Sequence, residues 1–222
     1  MSSESAQQVF TKRVIVVEND VLLCDLIARM LEQHRFSVLT AHNAVDAQRL
    51  IATTDPDALV LDIDLGLGPN GFDLANMVRA ENPERGIVFL TNLPDPRFVA
   101  GGADAMNPRS AYLRKSQLIA STDLVDALDA VLRDQIGSDF RHDLLGSRPL
   151  AKLSSTQIHV LTLVARGKSN SQIAEARGTS VRAVEAVISR IFSLLGIDPS
   201  TEGNPRVEAA RAYFEATGQA SS

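Results

Sequence analysis

Pro56-Asp57-Ala58-Leu59-Val60-Leu61-Asp62 sets a short apolar run directly before a carboxylate. Runs of this kind, bounded by turn formers and polar residues, read as strands buried on both faces of a parallel sheet. Three more repeat the signature. Val14-Ile15-Val16-Val17 ends in Glu18-Asn19-Asp20, Ile87-Val88-Phe89-Leu90 ends in Thr91, and Ala111-Tyr112-Leu113 ends, after Arg114, in Lys115. Phe36-Ser37-Val38-Leu39 supplies a fifth strand. Helical spacing fills the intervals. It runs through Val21, Leu22, Leu23, Leu26, Ile27, Met30 and Leu31, then from Ala44 to Ile51 before Asp55-Pro56, and near Phe72–Arg79 after a loop holding Gly66, Gly68, Pro69 and Gly71. A last helix carries Leu124, Val125, Leu128, Val131 and Leu132, with Thr122 as its N-cap. Strand–helix alternation over five strands predicts an α/β doubly wound five-stranded parallel sheet.

Ligands of such sheets sit at the carboxyl ends of the strands. Two acids, a hydroxyl and a lysine at four of these ends predict one pocket suited to a phosphoryl group. Glu18, Asn19 and Asp62 offer the oxygen donors that Mg²⁺ requires. Asp62 can serve as a nucleophile, Lys115 can pair with phosphate as a point charge, and Thr91 can donate its hydroxyl to a phosphate oxygen. Between Thr91 and Lys115, Pro94, Pro96, Gly101, Gly102 and Pro108 oppose a regular helix, so the fourth helix is expected to be short, displaced or missing.

The bulk properties frame this reading. A chain of 222 residues is long enough for two modest domains or one larger one, and 45% apolar and 22% charged residues describe an ordinary soluble protein. No stretch approaches the roughly 18 apolar residues that span a bilayer, and the first residues lack the pattern of a signal peptide. A single cysteine, Cys24, rules out an internal disulfide and sits in an apolar helical pattern, where a buried thiol is expected. A cytoplasmic protein without membrane contact is the expectation. Residues 1–147 carry 13 Lys and Arg against 21 Asp and Glu, whereas 148–222 carry 9 against 6. A basic tail on an acidic body points to a polyanionic partner for the tail. His34, His42, His142 and His159 are scattered without ligand spacing and read as helix-end or surface residues.

Residues 134–150 show no periodicity and read as a linker between domains at 12–133 and 151–218. From Leu153 the pattern is short helices. Ser154-Ser155-Thr156-Gln157 and Ser169-Asn170-Ser171-Gln172 have capping-box spacing, and Leu153 can staple onto Ile158. Ser180 caps a third helix with Val184, Ile188, Ile191 and Leu195 on one face, ended by Gly196. Asn204-Pro205 opens a fourth, with Val207, Ala210 and Phe214 expected inward. Three capped helices with a turn at Gly178-Thr179-Ser180 fit a helix-turn-helix whose third helix enters the major groove of DNA.

The N-terminal pattern resembles the receiver domain of bacterial two-component response regulators, a flavodoxin-like fold. The resemblance rests on the run ending at Asp62 and on Asn70-Gly71-Phe72-Asp73-Leu74. It implies Asp62 as phosphoacceptor, Glu18 and Asn19 at the acidic-pair positions, and the backbone carbonyl of Asp64 as a further Mg²⁺ ligand. It also implies Thr91 and Lys115 as phosphate-contacting residues and Tyr112 as the switch aromatic. The second acid of that family is usually Asp, here Asn19. Leu153 to Ile197 resembles the LuxR-type helix-turn-helix of NarL/FixJ regulators, through Val164-Ala165-Arg166-Gly167-Lys168-Ser169-Asn170 and Gln172-Ile173-Ala174-Glu175. On the third helix Arg182, Glu185, Ser189 and Arg190 lie away from the apolar face and are the expected DNA contacts, with Lys168 and Ser169 at the backbone.

The whole reads as a non-enzymatic transcriptional regulator. It would bind double-stranded DNA, dimerise, and receive its phosphoryl group from a sensor histidine kinase or a small phosphodonor. Two alternatives stay open. One is a receiver that works without phosphorylation, as a dimerisation or ligand-controlled module. The other, more distant, is a phosphatase resembling the haloacid dehalogenases, with Asp62 as nucleophile and Asp64 as general acid.

Overall fold

The computed structural model describes residues 12–99, 102, 106–118, 120, 122–144, 150–198 and 203–217. The N-terminal unit is built on β1 (Arg13–Val17), β2 (Ser37–Ala41), β3 (Ala58–Leu61), β4 (Gly86–Thr91) and β5 (Ser110–Arg114). They form one sheet in the order β2-β1-β3-β4-β5, all parallel. Register follows the apolar runs: Val14 to Val17 of β1 face Ala58 to Leu61 of β3, and Ala58 to Leu61 face Gly86 to Phe89. Every residue of β3 and β4 is buried, as strands covered on both faces require.

Helices α1 (Val21–Gln33), α2 (Ala44–Thr54), α3 (Gly71–Glu81) and α4 (Thr122–Leu132) flank the sheet. Polar side chains fix where they start. Asp20, Asn43 and Asn70 each accept amide hydrogens of the first turn, and Asn70 with Asp73 completes a capping box. Thr122 is the first helical residue of α4 rather than its cap, and the Asp123 carboxylate accepts the Ala120 amide instead. One core joins β1, β3, β4 and β5 to α1 and α4 through Val16, Cys24, Leu31, Val60, Val88, Leu113, Leu124 and Leu128. Burial foremost, with Glu18 and Asp25 nearby, pushes the Cys24 thiol up to about 11.

The C-terminal unit holds α5 (Ser155–Ala165), α6 (Asn170–Ala176), α7 (Val181–Leu195) and α8 (Pro205–Thr217). Both expected capping boxes form, Ser154 with Gln157 and Ser169 with Gln172. Ser180 caps α7, and Gly196 ends it in the left-handed conformation that glycine adopts without strain. Leu153 and Ile158 are buried in the same core, as a staple demands. The fourth helix is turned relative to expectation. Ala209, Tyr213 and Thr217 are its buried residues, while Val207 is 63% exposed. The large Tyr213 ring decides this, tilted against Phe98 at 5.8 Å and edge-on to Phe214 at 5.6 Å between centroids.

Phe98 comes from between β4 and β5. Residues 92–107 group with the helical unit, together with 114–116 and 141–222, whereas 1–91, 108–113 and 117–140 form the sheet unit. The helical unit is therefore discontinuous in sequence. Its inserted piece carries a 3-10 turn, Pro96–Phe98, capped by Asp95. The expected shortening or loss of the fourth helix falls largely on residues 100, 101 and 103–105, outside the described residues.

Candidate functional site

The ends of β1 and β3 bring two acidic residues to the same level. The Asp62 amide donates to the Val17 carbonyl at 2.9 Å, one step beyond the Val17–Leu61 pair, so Glu18 and Asp62 follow neighbouring strands at the same level. Both are withdrawn from solvent, Glu18 at 2% exposure and Asp62 at 7%. The Glu18 carboxylate accepts the Asp20 amide at 3.2 Å, and its backbone carbonyl meets His42 Nδ1 at 3.1 Å. Asp62 Oδ1 accepts the amides of Ile63 at 2.6 Å and Asp64 at 3.3 Å, which orients the carboxylate over its own loop.

Gly71 holds that loop close. Its amide donates to the Ile63 carbonyl at 3.0 Å, and a Cβ at this position would lie 2.1 Å from the Asp62 carbonyl oxygen. Only glycine lets the start of α3 pack this near Asp62.

Asn19 and Asp64 are exposed beside the two carboxylates in sequence. Asp20 is committed elsewhere, since its carboxylate caps α1 by accepting the Leu23 amide at 3.1 Å. A third acid is thus withheld twice, by the amide of Asn19 and by the capping duty of Asp20. Among the described residues no group of three or more His, Cys, Asp or Glu could hold a metal ion. The donors present are nonetheless all oxygens, two carboxylates and an amide, which is the donor type that a hard cation takes.

Thr91 ends β4 and is buried. Tyr112, on β5, is fully buried, with its ring 6.4 Å from that of Phe89. Lys115 follows β5 directly, opening a 3-10 turn, Lys115–Gln117. All four expected strand ends therefore belong to one sheet and point the same way along it.

In the helical unit, α6 and α7 are joined through Gly178, whose φ is +59°. Val184, Ile188 and Ile191 of α7 are buried, and Arg182, Glu185, Ser189 and Arg190 are exposed on the opposite side. Lys168 and Ser169 are exposed at the α5–α6 turn. Ser169 Oγ accepts the Gln172 amide, which leaves the hydroxyl hydrogen to donate elsewhere.

Two sequence families match this pair of units. Residues 14–107 match the response regulator receiver domain, and residues 151–202 match the bacterial regulatory proteins of the LuxR family. The chain is a two-component response regulator. With a LuxR-type domain as its output, the response regulator is a DNA-binding transcriptional regulator. It is 28% identical over 176 residues to the oxygen regulatory protein NreC of Staphylococcus aureus strain MRSA252, covering 74% of this chain and 81% of that protein. NreC of strain JH9 is 27% identical over the same length. The fold is shared with the RcsB response regulator of Salmonella typhimurium, at a TM-score of 0.60 and 20% identity, covering 93% of this chain and 98% of that one. RcsB of Salmonella enterica serovar Typhimurium, bound to promoter P1flhDC in the presence of phosphomimetic BeF3-, gives 0.58 at 19% identity over 92% and 99% of the two chains.

Three features of the response regulator were not read from its sequence. The Asp20 cap had a signal, an Asp just before the periodic apolar run. The pairing of Asp95 with Arg97 had none, and neither did the seat of Phe98. Arg97 reaches Asp95 through Nε at 2.9 Å and Nη2 at 2.7 Å, and its Nη1 donates to the Leu153 carbonyl at 2.7 Å.

Proposed function

We propose that DNA binding by this response regulator is controlled by phosphorylation of Asp62. The observation that carries the proposal is the pair of buried carboxylates, Glu18 and Asp62, set level at the ends of β1 and β3 with Asp62 oriented by two amides of its own loop. One Asp62 oxygen attacks the phosphorus of a sensor kinase phosphohistidine or of a small phosphodonor, and the donor's bond to phosphorus breaks. Glu18, Asn19, Asp62 and the Asp64 carbonyl would hold Mg²⁺, whose charge offsets that of the phosphoryl oxygens. Lys115 pairs with the phosphoryl group, Thr91 donates its hydroxyl to it, and Tyr112 follows the rearrangement of the β4 end.

Thr91 is followed directly by the segment whose Asp95–Phe98 turn belongs to the helical unit. A pull on Thr91 therefore runs a few residues along the chain to Phe98, which packs in the core of the DNA-binding helices. Arg182, Glu185, Ser189 and Arg190 read or approach bases, Lys168 and Ser169 contact phosphates, and a homodimer engages two half-sites. The protein acts as a regulator and not as an enzyme, working in the cytoplasm; among the described residues no helix is long and apolar enough to cross a membrane.

The test is labelling by acetyl phosphate with and without Mg²⁺, read by intact mass, with DNA binding measured on the same samples. Prompt Mg²⁺-dependent labelling that is lost in Asp62→Asn, with a change in DNA affinity, is expected. One observation favours a second reading, in which the receiver works without phosphorylation as a dimerisation or ligand-controlled module. Asn19 replaces an acid and Asp20 is spent on capping. Unlabelled wild type with unchanged DNA binding would replace the first reading by the second. The phosphatase reading fares worse, because residues 122–132 form a helix where a further strand with an acidic pair would be needed.

A further inference from the structure

The α5–α6 turn, which carries Lys168 and Ser169, is held from outside by an arginine of the fourth helix. Gly167 leaves α5 at φ +75°, and the Lys168 amide folds back onto the Leu163 carbonyl at 3.1 Å. That leaves the Lys168 carbonyl and the Asn170 side chain facing outward from the turn. Arg206, in the first turn of α8, spans both. Its Nη1 donates to Asn170 Oδ1 at 2.9 Å, and its Nη2 donates to the Lys168 carbonyl. The arginine is itself fixed, since its amide donates to Asn204 Oδ1 at 3.0 Å at the start of the helix. A guanidinium is a planar fork, so two bonds from its two terminal nitrogens set distance and angle together.

We infer that Arg206 is a positioning residue for DNA binding, acting through the Lys168–Asn170 turn that it clamps rather than by touching DNA. The inference rests on the reading of Lys168 and Ser169 as phosphate contacts. An exposed lysine after a glycine turn has many backbone states, and ordering it on binding costs affinity. Arg206 removes that cost beforehand by tying the Lys168 carbonyl to a helix on the other side of the turn. Ser169 gains too, because its capping box with Gln172 starts at the same place. Helix α8 thereby takes part in DNA recognition without approaching the groove.

The experiment measures binding of the full chain to a mixed-sequence DNA duplex across a salt titration. It uses wild type, Lys168→Ala, Arg206→Ala, Arg206→Lys and the Lys168→Ala/Arg206→Ala double variant, with thermal melting of each recorded in parallel. Each phosphate contact contributes about 0.9 to the slope of log K against log salt. Arg206→Ala is expected to lose about one such contact, and the double variant to lose no more than Lys168→Ala alone. Arg206→Lys keeps the charge but not the fork, and is expected to behave as Arg206→Ala. Full rescue by Lys together with additive slope loss in the double variant would make Arg206 a direct phosphate contact and overturn the inference. A lowered melting temperature with an unchanged slope would overturn it as well, leaving Arg206 a structural residue. Wild type that shows no salt-dependent binding would instead sink the underlying reading of the turn as a DNA contact.

Discussion

Replacing Phe98 by Ala should loosen the helical unit although Phe98 lies outside the LuxR-family match. The ring is 4% exposed, sits in one core with Leu153, Ile158, Leu161, Ile173 and Tyr213, and has its centroid 5.8 Å from that of Tyr213. Truncating a buried Phe to Ala costs about 3–5 kcal/mol, part transfer and part cavity, of which the aromatic pair accounts for about 0.5–1.5 kcal/mol. A surface residue would cost no more than about 0.5 kcal/mol. Amide hydrogen exchange separates the two because it reports stability locally. At about 3 kcal/mol, the slowest amides of α5 and α8 should exchange on the order of 100-fold faster, since each 1.4 kcal/mol is about tenfold. Amides of β1 and β3 should change far less. Unaltered protection in α5 and α8 would refute the reasoning and make the seat of Phe98 energetically empty.

Three further outcomes are expected. Asn19→Asp adds a unit charge beside a divalent ion, worth about 2 kcal/mol at 4 Å in bulk water and about 8 kcal/mol at an effective dielectric of 20; because Asn19 is exposed, the lower figure governs, and Mg²⁺ titration should show binding tighter on the order of 30-fold. Gly71→Ala drives a methyl into the Asp62 carbonyl, so melting should show a loss of about 1–3 kcal/mol and acetyl phosphate labelling should slow beyond that of a Gly137→Ala control, where a Cβ meets open space at an ordinary φ. Burial first, and then Arg177 and Arg166, hold the His159 imidazole below its ordinary value. The unfolded chain therefore takes up the proton first, so this contribution to stability is complete above about pH 6.5 and is lost as pH falls through the lowered folded value. His159→Gln should flatten the acid limb of a pH-dependent melting series, and an unchanged limb would remove His159 as its source.

Much of the sheet unit was legible because its signals are local. Each apolar run became a strand, and the residue ending it stands at the sheet edge, since a buried parallel strand must be apolar throughout and its ligand-facing residue must follow it. The capping boxes at Ser154 and Ser169 were legible for the same reason, their partners being three residues apart. What escaped was settled at a distance. Val207 and Ala210 fit the inward face of a fourth helix as well as Ala209 and Tyr213 do, until a ring from the β4–β5 connection claims Tyr213. Asp95 reads as a turn residue, yet it is 1% exposed and its charge is matched by Arg97, itself anchored on Leu153. Nothing periodic marks a single Phe among prolines. Arg206 reads as an ordinary helix-start residue, because Lys168 and Asn170 lie far from it in sequence.

The interrupted path of the helical unit bears on how such regulators can be recombined. A chimaera cut at the start of the LuxR-type match would carry Leu153 and Tyr213 but leave behind the aromatic plug and the ion pair that close over them. Grafting this output onto a foreign receiver calls for transplanting residues 92–107 along with it, so the unit of exchange is larger than the unit of homology.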